Sequence, residues 1–191
     1  MQDIDVSIDL SAAEKSGMVL CEAERNAKQA VKLLNDLREQ YDLSDWEFTR
    51  KVRIAPAEIP HSHPVLTLNT RRIVDRSAFL SVYLHEQVHW GLSLHFEEML
   101  PDFIRNLQEL YPDLHTDGPD TARNEFSTYL HIIVNWLEIS ALSGFIGCDE
   151  AKATAAHQEI YARIYDFVLN NWKEIEDLLV SQGLLPFPKA T

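Results

Sequence analysis

The sequence predicts an α+β fold, mostly helical, with a small sheet built early in the chain and an HExxH helix following it. Three observations predict it. Stretches with strand character fall only within the first 70 residues. From there on, apolar residues recur at three- and four-residue spacing, the signature of helices with a buried face. Pro56, Pro60 and Pro64 punctuate the strand-rich region and keep its strands short.

Residues 3–10 set acids or Ser between Ile4, Val6, Ile8 and Leu10, a period of two that reads as a short strand or ordered arm. Ser11 followed by Glu14 has the form of a capping box and opens a helix predicted to run to about Tyr41. Its apolar positions include Val19, Ala23, Ala27, Ala30, Leu34 and Leu37. Trp46–Ile54 and Pro64–Thr70 are rich in β-branched and aromatic residues and read as two strands joined by a Pro-containing loop. Asp75 suits the N-cap of the next helix, which runs through the 80s. Another helix is expected from Glu97 to about Tyr111, then a loop from Pro112 to Pro119. A helix follows over about 121–145, and Asp149 opens a last long helix that stops at Gly183. The expectation is one domain over 1–191, with strands and the HExxH helix in 46–95 and C-terminal helices in 121–182.

Composition narrows the function. Apolar residues make up 46% and charged residues 25%, an ordinary globular balance. The net charge of −13, from 17 basic and 30 acidic residues, repels phosphate backbones and disfavours a nucleic-acid partner. Cys21 and Cys148 alone form neither a disulfide framework nor a thiolate zinc site. The first ten residues carry acids where a signal peptide needs basic residues, and no run of 18 uninterrupted apolar residues occurs. The expectation is a cytoplasmic protein with reduced thiols and no membrane partner.

Chemistry concentrates in His85-Glu86-Gln87-Val88-His89. Residues four apart on a helix share a face, so the two imidazoles can hold one metal ion from one side. Zinc (Zn2+) takes nitrogen ligands at about 2.0–2.1 Å. Glu86, next to the first His, is placed to act as general base toward water activated by the ion. The surrounding Phe79, Leu80, Val82, Tyr83, Leu84, Val88 and Leu92 are apolar, so these polar groups enter a core where each needs a partner. The bland alternative is a pair of hydrogen-bonded core histidines.

HEQVH on its helix, preceded by the strand-like Pro64–Thr70, resembles the zincin metallopeptidases over about residues 64–95. That resemblance implies a zinc-dependent hydrolase, most directly a peptidase acting on a peptide or protein substrate. It also implies that residues 64–70 align the substrate as an edge strand. Two rival readings stand beside it: a zincin-fold module that binds metal with little catalysis, and a structural helical protein whose HExxH is coincidental.

A catalytic zinc site needs a third ligand. His95 stands at metzincin spacing, but Gly91 is one position early and no Met-turn follows. Glu125 resembles the gluzincin ligand, yet it falls in a first helical turn, where the helix dipole favours an acid anyway. On the helix 121–145, Asn124, Ser127, Thr128, His131, Asn135 and Glu138 make one polar stripe on an otherwise apolar cylinder. The stripe faces either water or the metal. His131 therefore ranks first as third ligand, Glu138 and Glu125 next, His95 last. Tyr83 and Tyr129 are candidate hydroxyls for an oxyanion, weighed against simple packing. His61 and His63, in a loop, read as solvated.

Overall fold

The computed structural model describes residues 3–190. The chain is α+β and mostly helical, with one three-stranded parallel sheet of order β1-β2-β3. It forms two compact units. One runs to Trp90 and takes in the chain's end from Lys189, and the other is Gly91–Pro188.

In the first unit the strands are β1 (Asp5–Ile8), β2 (Lys51–Ile54) and β3 (Leu66–Leu68). Val6 pairs with Val52, and Val52 with Leu66. Arg53 fastens this sheet. Its guanidinium reaches Asp9 (3.1 Å), Glu58 (2.7 Å) and the Thr67 hydroxyl (3.2 Å), joining three separate segments. β3 is shorter than the seven-residue strand expected, and its outer edge is occupied. Thr67 N–H donates to the His61 carbonyl (2.8 Å) and His61 N–H to the Thr67 carbonyl (3.1 Å), so the loop itself supplies the next strand position. The edge expected to receive a substrate is already paired there.

The expected helix over 11–41 is two helices, α1 (Ser11–Lys15) and α2 (Leu20–Gln40). Gly17, at φ +76°, turns the chain between them. Met18 N–H bonds to the Ala13 carbonyl and Gly17 N–H to the Glu14 carbonyl, a Schellman ending that the apolar spacing did not reveal. The Ser11–Glu14 capping box does not form. Instead the Asp9 carboxylate accepts from Ser11 N–H (2.9 Å), and hydrogen bonding by Ser11, its hydroxyl first and this N–H second, holds the carboxyl below the usual range. α2 buries Ala23, Ala27, Ala30, Leu34 and Leu37 at alternating four- and three-residue steps. The alanines let the helix approach closely, and the leucines each contribute about 1.5–3 kcal/mol by burial. α3 (Arg76–Phe96) starts where expected, with Asp75 accepting from Ala78 N–H (3.0 Å).

In the second unit α4 (Leu100–Leu110) and α5 (Glu125–Ile146) pack together, and α5 also meets α6 (Cys148–Ala156), α7 (Ala162–Asn170) and α8 (Trp172–Ser181). α5 starts four residues later than expected because Asn124 is its cap, accepting from Ser127 N–H (2.8 Å). Its length and hydropathy would suit a membrane span, but most of it is buried within the protein. The single long C-terminal helix expected after Asp149 is three helices. The chain breaks at 157–161, where Tyr161 takes φ +60°, and again at Asn171. Trp136 locks α8 to α5. Its ring stacks on Trp172 at 4.7 Å, and its N–H donates to the Trp172 carbonyl (3.1 Å).

Candidate metal centre

Both halves of the HExxH motif lie well inside α3, where four-residue spacing brings His85 and His89 onto one face. Their ring centroids are 5.0 Å apart and the rings are inclined by 67°. His85 and Glu86 are buried, and His89 is half-buried. α3 carries apolar Leu84 and Val88 beside them in sequence, both fully buried, so these polar groups sit in a low-dielectric setting.

Among the described residues, His85, His89 and His131 form a group that could hold a metal ion. His131 is buried on α5, and its Nδ1 lies 2.6 Å from the Ser127 carbonyl, one helical turn back. A carbonyl oxygen only accepts, so Nδ1 carries the proton. The Nε2 lone pair is therefore the atom that His131 could offer a metal, and the backbone carbonyl orients the ring. Ser127 enters the site this way, a role its place in the polar stripe did not disclose.

The other ligand candidates lie elsewhere. His95 is exposed and turned edge-on to Phe96. Glu125 is exposed at the start of α5 and accepts from Gln108 (3.1 Å). Glu138 is fully buried and accepts from the Tyr165 hydroxyl (2.6 Å). None of the three belongs to the histidine cluster found among the described residues.

The two tyrosines considered for an oxyanion are engaged in structure. Tyr129 donates to the Tyr111 carbonyl (2.6 Å). Tyr83 donates to Glu47 (3.0 Å) and accepts from Gln87 (3.0 Å), and its burial pushes the phenol well above its ordinary pKa. The loop histidines are held, not freely solvated. His63 stacks on Trp90 at 4.1 Å, and the Trp90 N–H donates to the Ser62 carbonyl (2.8 Å). Trp90 is one turn beyond Glu86 on the same helical face, which puts His63 on the side of Glu86. Tyr161 lies with its ring centroid 4.2 Å from that of His131, and no local pattern in Ile160-Tyr161-Ala162 announces it.

The sequence matches no family model, no curated protein and no solved structure.

Proposed function

We propose that His85, His89 and His131 hold a zinc ion and that Glu86 is the general base of a zincin-like, zinc-dependent hydrolase acting on peptide bonds. The observation that carries the reading is the pair of imidazoles on one face of α3, with ring centroids 5.0 Å apart, to which His131 adds a third candidate ligand. Three neutral nitrogens with an open fourth position are a donor set suited to catalytic zinc. Such an ion, when bound, lowers the pKa of water to about 7 and polarises a carbonyl oxygen.

The chain's own groups do the rest. Ser127 fixes the tautomer of His131. Glu86, buried beside His85, takes the proton from the attacking water and returns it to the leaving amine. Peptide as the substrate class rests on the likeness of HEQVH and its helix to zincins.

Metal analysis of protein purified without a His-tag tests the centre. The expected result is one equivalent of zinc, lost in His85→Ala and His89→Ala and weakened in His131→Ala. A zinc-free protein whose thermal stability ignores added zinc would sink the proposal. Glu86→Gln is expected to keep the zinc and to lower peptide turnover by about 10²–10⁴-fold, the usual weight of a general base.

One observation favours a second reading, a metal-binding module with little catalysis. The Thr67 edge that would align an extended peptide is paired with His61. Bound zinc without cleavage of denatured proteins or peptide libraries selects this reading over the first.

A further inference from the structure

We infer that Tyr161 is a positioning residue for His131, and that its backbone is held in a strained conformation to keep it there. The inference rests on the zinc centre proposed above. Tyr161 has φ +60° and ψ +25°, the one non-glycine residue at positive φ among the described residues. The other such positions are Gly17, Gly118, Gly147 and Gly183, where the conformation is free of Cβ strain. A bulky aromatic residue in the left-handed region is an outlier that persists only when its surroundings hold it.

Two contacts hold it. The Tyr161 carbonyl accepts from Ile164 N–H (2.8 Å) and Tyr165 N–H (3.0 Å), so it is built into the first turn of α7. One turn further on, Tyr165 donates to Glu138, seven residues beyond His131 on α5. α7 is thus fastened to α5 at two levels, and the upper one lays the Tyr161 ring against His131 at 4.2 Å with a 46° tilt. The Ser127 carbonyl fixes His131 at Nδ1 while Tyr161 restrains the ring's face. Together they determine where Nε2 points, and outer partners of this kind set metal affinity. Because restraint requires the ring and not its hydroxyl, Phe should serve as well as Tyr.

The experiment measures zinc affinity by chelator competition, and the thermal midpoint of the zinc-free protein, for wild type, Tyr161→Asn and Tyr161→Phe. Asn accepts the left-handed conformation without strain. Tyr161→Asn is expected to bind zinc about 10–100-fold more weakly while its zinc-free midpoint equals or exceeds that of wild type. Tyr161→Phe is expected to retain wild-type affinity. Undiminished affinity in Tyr161→Asn overturns the inference. So does a zinc-free midpoint several degrees lower or failure to fold, which would make the ring an ordinary packing residue. Lost affinity in Tyr161→Phe overturns it by placing the role in the hydroxyl. If wild type itself takes up no zinc, the metal centre falls first and this inference with it. If wild type binds and all variants bind alike, only the inference falls.

Discussion

Two carboxamides, Gln87 on α3 and Asn135 on α5, are both fully buried in strongly apolar helices, yet their surroundings differ sharply. Gln87 is saturated. It accepts from Thr49 N–H (3.0 Å) and donates both to the Thr49 carbonyl (2.9 Å) and to the Tyr83 hydroxyl (3.0 Å). Through Tyr83 it connects to Glu47, which forms a two-point pair with Arg38 at 2.6 and 3.0 Å. Asn135, one turn from His131, has no hydrogen-bond partner at either amide atom. A closed network of this sort serves structure, since every member is satisfied internally. An open buried amide beside a candidate metal ligand demands water or a ligand. Glu86 thus directly precedes Gln87, the middle residue of the motif, which is committed to the scaffold.

The closed network is the place for the largest effect. Glu47 and Arg38 expose only 7% and 9% of their side chains. The Glu47 hydrogen bonds, more than any other influence, raise the Arg38 pKa, and a guanidinium is basic enough to stay charged when its partner is removed. Glu47→Ala is therefore expected to cost about 3–5 kcal/mol in urea unfolding, because it strands a buried cation. An effect under about 1 kcal/mol would mean that water reaches Arg38 freely, and the network would not be closed. Gln87→Leu comes next. It leaves the Thr49 N–H and carbonyl unpaired, and a loss of about 1–3 kcal/mol is expected from the same measurement. Zinc binding by His85 and His89 should survive in Gln87→Leu, since Gln87 contributes to the scaffold side of the helix. Zinc loss in a variant that remains folded would erase the distinction between the two sides.

How far these roles were legible in the sequence varies with the distance over which each signal acts. Four-residue spacing is a local rule, so the pairing of His85 with His89 follows from the helix alone. His131 was legible as a candidate because only one stripe of an apolar cylinder carries polar groups, and such a stripe needs a destination. The same stripe ranked Glu138 next to His131 and gave no sign of its partner Tyr165, which lies 27 residues on in another helix. Breaks set by backbone geometry were hidden for a related reason. Apolar spacing continues across Gly17, and nothing near Tyr161 marks a left-handed turn for a residue that disfavours one. The β3 edge was misjudged because composition identifies strand-forming residues but not the loop that returns to pair with them. Likewise the Gln87 network joins positions 38, 47, 49, 83 and 87, and no window of the sequence contains them all.

Asn135→Leu completes the contrast and should have the smallest effect. If the amide has nothing to lose, replacing it with an apolar side chain removes a desolvation penalty without breaking a bond, so stability should hold or rise slightly. The opposite signs expected for Gln87→Leu and Asn135→Leu then separate a saturated amide from an open one, although exposure is nil at both. A loss above about 2 kcal/mol for Asn135→Leu would instead reveal a tightly held water completing the amide's bonds. In that case the stripe beside His131 would be as closed as the Arg38–Glu47 side, and the orientation of His131 would depend on that water as well as on Ser127.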